Sequence, residues 1–441
     1  MITYDCDCKD VVITEGIFGE IYAEIFSYTD IERFSDESRL IPVKSYTMIN
    51  KNRVEITVIS WGATIVSLKY PDKYGHIADV VLGFDDLKSY MNPRINPFIG
   101  CILGRCVNRI KNGHIVIKGK TYQLTRNDLN NKHHLHGGTK GFGRRLWESH
   151  IDGCSVVMSY LSRDGEEGYP SAVLSTVRFK LTPDNKLEIG IRATTTNSTI
   201  VNISHGSLFN LAGHDAGQRE LMKHEISLNC DRWTFANYAD SIPTGSIRGV
   251  GGTIMDLRIP RALGSCIKKV PPGEGYDHNF CVTSNWHGSS TYVARAIHPR
   301  SGRVLEIYSD QPGVQFYTAG RLSPCVASEV SDLQLNGNHQ NIDSNIAYDN
   351  NPNREEEYEH EAKTLTIDQM EKDTTSEHKT PDFILGKQGA CYIKYCAFSI
   401  QPQNYPNAIN IPHFPCPILQ PGQVYCHDLI YKFGNQLTNY M

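Results

Sequence analysis

From Ser45 to Asp86 apolar and polar positions alternate and then turn. Val54, Ile56 and Val58 keep a period of two, Gly62 interrupts the run, Ile65 to Tyr70 resume it, and the Pro-Asp-Lys-Tyr-Gly stretch at 71–75 reads as a turn. The same texture returns at 114–128, 156–170, 174–195, 224–236, 291–320 and 392–402. Alternation of this kind puts successive side chains on opposite faces and suits a half-buried strand. No long stretch with a period of 3.6 competes, and short helical turns are expected only near 85–92 and 219–224. Many strands of moderate length joined by Gly, Pro, Asp and Asn turns predict an all-β chain. The expected architecture is a large antiparallel β-sandwich, not a parallel sheet with crossover helices.

One segment, 322–388, departs from this texture. From Ser328 onward it is rich in Asn, Asp and Glu and poor in large apolar residues, with an acidic run from Glu355 to Glu361. Such composition buries too little apolar surface to offset the entropy of ordering. The segment is therefore expected to be a mobile, disordered surface insertion within one domain spanning 1–441. Its acidic run reads first as a solvated face and second as a contact for a protein partner.

Composition narrows the classes. A chain of 441 residues, 40% hydrophobic, can bury a large core, and a net charge of −4 argues against a nucleic-acid or anionic-membrane surface. No apolar run is long enough for a transmembrane helix, and the N-terminus is acidic where a signal peptide is basic, so a cytoplasmic location is expected. The 13 cysteines are scattered and expected to be mostly reduced; Cys6 and Cys8 form a pair without the second cluster that structural zinc requires.

Three stretches concentrate polar groups beyond what packing needs: 104–110, 133–142, and 275–280 together with 311–317. Arg, Asn, His, Asp and Gln gathered together suit the recognition of several sugar hydroxyls, each both donor and acceptor. Blander readings exist. Asn108 and Arg109 would serve as a turn cap and a surface ion pair, and Gly137-Gly138 marks a tight turn or a close backbone approach. His134 and His136, two apart on a strand, would suit a metal, but no carboxylate or cysteine lies near them in sequence. No Gly-x-Ser-x-Gly elbow supports a serine hydrolase.

The ordered succession FIGCILGRCVNRI, HHLHGGTKGFGRRLW, SRDGEEGYP, VNISHGSLFNLAG, IPTG, GYDHNFCV, SGRVLEIYSDQPGVQFYT and PQNYPNAIN resembles the galactose mutarotase (aldose 1-epimerase) family from about Phe18 to Phe433, apart from the insertion. The resemblance implies a β-sandwich around an open cleft for a hexose, galactose or glucose, with no metal and no cofactor. It further implies interconversion of anomers: a glutamate takes the proton of the anomeric hydroxyl and a histidine protonates the ring oxygen. The ring then opens, the C1–C2 bond rotates and the ring recloses. Asn108, Arg109, His136, Asp277 and Gln315 match the family's sugar-binding positions.

The two catalytic positions do not match. Against the family's V-N-L-T-N-H-S-Y-F-N-L-x-G, the stretch Val201 to Gly213 puts Gly206 on the acid and His205 on the preceding asparagine. Against L-E-T-Q-x-x-P-D-A-x-N, the stretch IQPQNYPNAIN puts Gln401 on the base. Leu208 for tyrosine and Asn407 for aspartate are further departures. Glycine has no side chain and a glutamine amide is neutral and non-basic. Two functions therefore compete. Chemistry favours a catalytically impaired member that binds a hexose or a protein partner. The alternative is an active aldose 1-epimerase that uses His205, His136 or a water relay as surrogate. Neighbours on a strand face opposite ways, so His205 would need a bulge to reach the site. Restoring both groups, Gly206→His with Gln401→Glu, is expected to recover most of the activity.

Overall fold

The computed structural model describes residues 2–5, 10–22, 40–128, 130–283, 290–322 and 383–436. Its strands form three large antiparallel sheets. A six-stranded meander runs in chain order from Ile2–Asp5 to Ile77–Asp79. A nine-stranded sheet is built mainly from Glu148–Thr195, Glu225–Leu228, Thr291–Ser309 and Tyr425–Asn435. A five-stranded sheet takes the order Pro243–Gly249, Cys230–Ala236, Asp277–Val282, Gly313–Tyr317, Ser399–Gln403. The period of two read from the sequence is the burial period. Along Val173–Leu181 the residues Val173, Ser175, Val177, Phe179 and Leu181 are buried, whereas Leu174 and Arg178 are exposed.

The apolar faces of all three sheets meet in one continuous core. Met48, Ile56 and Val58 come from the first sheet, Phe179, Ile189, Leu305 and Tyr431 from the second, and Phe280, Phe316 and Ile400 from the third. Among the described residues helix is confined to short pieces. Leu87–Met91 forms where a helical turn is expected, capped by Asp86, whose side chain accepts from the Ser89 amide; Gly217–Leu221 overlaps the second expected turn. Leu263–Cys266 had no signal in the sequence. Among the described residues no helix is long and apolar enough to cross a membrane. Of the described cysteines nine are free and Cys154 is disulfide-bonded.

Residues 323–382, the bulk of the expected acidic insertion, lie outside the described residues. Its two ends require correction. Leu322 and Ile384 are buried in a second core cluster with Trp61, Phe84 and Tyr392. Ile384–Leu385 pairs with Cys391–Tyr392, and the Lys387 ammonium is buried, donating to Asp79 at 2.7 Å and to the Val66 carbonyl at 3.0 Å. So short a stretch cannot show periodicity, and a buried lysine looks like a surface one until its partner is known.

Candidate functional site

A cleft of about 500 Å³ opens where the five-stranded sheet meets two short ladders. Three neighbouring strands of that sheet bring Asp277, Gln315 and Gln401 together, because Gln315 lies directly opposite Gln401 in register and Asp277 opposite Tyr317. The first short ladder pairs Arg109 with Leu135. It seats His136 against Asn108, whose backbone N–H donates to His136 Nδ1 at 3.2 Å. The second pairs His205 with Ile102 and continues through Gly206, whose N–H and carbonyl bond to Cys101 and Gly100. All seven residues that the sequence points to at binding, acid and base positions line this one cleft: Asn108, Arg109, His136, Gly206, Asp277, Gln315 and Gln401.

The backbone explains part of the motif. Asn108 adopts φ +65°, a left-handed conformation that asparagine tolerates, and its Oδ1 accepts from the Arg109 amide at 2.8 Å. Gly137 has φ +88°, and a Cβ there would collide with the Gly104 carbonyl, so the glycine is required by a close backbone approach.

The electrostatics are organised around Arg109 and Asp277. Arg109 is buried and not the surface residue of the blander reading; its Nε donates to Asp128 at 2.6 Å, and its Nη1 stands 3.9 Å from Asp277. Asp277 also faces Arg321 at 3.5 Å and accepts from Gln315 Nε2 at 2.7 Å. Burial works to raise the Asp277 pKa, but Arg109, Arg321 and the Gln315 bond outweigh it and hold the carboxyl below its ordinary range. Burial, aided by the Arg109 charge, pushes His136 down to about 3, so its imidazole is neutral; with Nδ1 accepting, Nε2 carries the proton. Among the described residues Gln315 Oε1 is buried without a hydrogen-bond partner.

The remaining candidates divide. His205 does not line the cleft. Its ring is fully buried, with Nδ1 3.3 Å from the Tyr431 hydroxyl, and burial pushes its pKa down to about 3. The surrogate-acid reading is corrected accordingly: no bulge turns His205 towards the cleft, and the neighbour rule on the strand holds. His134 bonds Tyr169 and the Thr125 carbonyl, so the two histidines two apart do not share a ligand position; among the described residues no group of three or more His, Cys, Asp or Glu could hold a metal. Leu208 lines the cleft as an apolar wall with Phe98 and Leu103, and Asn407 accepts from the Lys111 amide, a structural bond that an amide satisfies. Reasoning from sequence missed Asp128, Phe98, Arg144 and Arg321. Asp128 closes a stretch read only as strand texture, and Phe98 and Arg144 lie inside quoted motifs without marking themselves as site residues.

A sequence model of aldose 1-epimerase matches residues 44–432. The chain belongs to the aldose 1-epimerase family. Galactose mutarotase of Bos taurus is 34% identical over 424 residues, 96% of this chain and 99% of that protein. A GalM/aldose epimerase homologue from C. elegans superposes with a TM-score of 0.68 at 25% identity, covering 88% of this chain and 97% of that one. Galactose 1-epimerase from Lactobacillus acidophilus superposes with a TM-score of 0.65 at 17% identity over 96% and 99% of the two chains, a likeness of fold alone. These matches place the all-β reading and the family resemblance on firm ground. Five of the eight quoted motifs, those at 98–110, 133–147, 201–213, 275–282 and 301–318, contribute residues to the cleft.

Proposed function

We propose that this protein is a hexose-binding member of the aldose 1-epimerase family whose mutarotase chemistry is impaired. The observation that carries the reading is the composition of one cleft. Asn108, Arg109, His136, Asp277 and Gln315 converge there, and Gly206 and Gln401, the residues that the sequence reading aligns with the family's acid and base, line the same cleft. The buried, unpartnered Oε1 of Gln315 and the Nε2–H of His136 are suited to hydroxyls of a pyranose. Among the described residues no carboxylate other than Asp277 lines the cleft, and its arginine partners make it a poor base.

The test is titration calorimetry with galactose and glucose on wild-type protein and Asp277→Asn. Binding in the millimolar range is expected, weakened about 10- to 100-fold by the substitution, the worth of a hydrogen bond to a charged group. If neither sugar binds at tens of millimolar, the hexose reading falls and a protein partner takes its place.

The same experiment carries a pH expectation. His136, at about 3, is already neutral well below pH 5, and Asp277, held below the ordinary carboxyl range, is already ionised there. Neither group changes charge between pH 5 and 8, so sugar affinity should be flat across that interval. A bell or a step centred near pH 6 to 7 would show that a titrating group takes part.

A further inference from the structure

The side chains lining the cleft include three guanidinium groups, Arg109, Arg144 and Arg321, against one carboxylate, Asp277. Two of the three are answered. Arg109 is paired with Asp128 and Asp277, and Arg321 with Asp277 and, at 3.7 Å, Glu274. Arg144 has no carboxylate within ion-pair distance among the described residues. It donates to the Thr139 carbonyl at 2.8 Å and the Asn96 carbonyl at 3.3 Å, and among the described residues its Nε is buried without a partner. Glu167, whose field it feels, is engaged by the backbone amides of Thr139 and Lys140. A guanidinium has five N–H donors, and Arg144 uses two. A partly buried cation with open donors beside a cleft is an unfinished ion pair.

Its position suggests what finishes it. The Arg144 guanidinium stacks on the Phe98 ring at 4.1 Å, and the other neighbour of that ring is the His136 imidazole at 5.3 Å. The carbonyl of Phe98 lies 2.9 Å from where a Cβ on Gly206 would stand. Position 206 is where the family's acid addresses the sugar's ring oxygen. That oxygen joins C1 and C5, so in the hexose reading, with C1 turned toward the base position at Gln401, the C5 side and its C6 substituent would fall to the Phe98 wall that Arg144 covers. Gln401, being neutral, adds no negative charge to the floor that would repel an anion.

We propose, resting on the hexose reading above, that the cleft selects a pyranose bearing an anionic group at C6, a carboxylate or a phosphate monoester, with the charge seated on Arg144. The neutral hydroxyls then occupy Arg109, Asp277 and Gln315, and the charged substituent completes the pair that the fold leaves open.

Calorimetry at about 0.05 M salt tests this, comparing galactose and glucose with galacturonate, glucuronate and the two hexose 6-phosphates, and with acetate and inorganic phosphate alone. At least one charged sugar should bind about 10-fold or more tightly than its neutral parent, the range of a charge-assisted contact. The uronate and phosphate arms tell which anion it is. The advantage should shrink when salt is raised to about 0.5 M, vanish in Arg144→Gln and be only partly kept in Arg144→Lys, which retains the charge but not the stacked, forked guanidinium. The salt arm uses wild-type protein and so stands even if Arg144→Gln fails to fold. Charged and neutral sugars binding alike would overturn the proposal and leave the hexose reading intact. Binding of neither kind would remove both. Inorganic phosphate binding as tightly as a sugar phosphate, or an advantage that survives Arg144→Gln, would also overturn it.

Discussion

Anomer exchange of α-galactose, followed by NMR, is expected to run at the solvent rate in the presence of the protein. Ring opening needs a proton removed from the anomeric hydroxyl and one delivered to the ring oxygen, and a positioned group contributes about 10² to 10⁴ in rate for each. Gly206 and Gln401 offer neither, and His205 is turned into the core against Tyr431. Gln401→Glu alone should recover little, because groups that act as a unit are strongly non-additive. The structure also changes what the double variant should do. A Cβ at 206 would lie 2.9 Å from the Phe98 carbonyl and 3.3 Å from that of Cys101, both backbone atoms. That backbone is held by the Ile99 amide on Asn96 and by the Gly100 and Cys101 bonds to Gly206 itself. Gly206→His with Gln401→Glu is therefore expected to stay below about a tenth of the activity of an intact mutarotase and to lose about 1–3 kcal/mol of stability, the cost of overpacking. Robust wild-type turnover, abolished by His205→Ala, would sink this account.

The restoration expected from sequence is expected to fall short for a reason that sequence does not display. Alignment of a motif says which residue stands at a position but not whether a neighbouring loop has closed over the space. Phe98, with φ +65°, is such a neighbour, and nothing in FIGCILGRC announces that its carbonyl borders Gly206. The fold was legible because alternation is local: Val173 to Leu181 buries alternate residues as its pattern says. The cleft was partly legible because its polar residues fall in compact motifs that need no packing role. Arg144, Arg321 and Asp128 were not, since a charged side chain in a loop looks alike whether it is solvated, paired with a buried partner or left facing a cavity. Lys387 shows the same blindness from the other side, a core cation inside a stretch that composition assigns to solvent.

Asp79→Asn is expected to cost about 3–5 kcal/mol in chemical denaturation, because breaking a buried ion pair from one side strands the other charge. Asp79 accepts from Lys387 Nζ, Ser67 Oγ and the Leu68 amide, and both members of the pair are nearly solvent-free. An asparagine can still accept from Leu68, but its NH₂ cannot answer an ammonium, which keeps only the Val66 carbonyl. In the wild type burial lowers the Lys387 pKa and Asp79 opposes the shift. Removing the opposition lowers it further. Between that folded value and the unfolded 10.5 the unfolded chain binds more protons, so stability there rises with pH. The window is wider in the variant, and its deficit should therefore shrink as pH goes from 7 towards 10. Adding Lys387→Met to Asp79→Asn should recover part of the loss, since an apolar replacement leaves no stranded charge. A variant within about 1 kcal/mol of wild type, or a deficit that grows with pH, would mean that the ammonium reaches water and that residues 383–388 are not the packed anchor they form here.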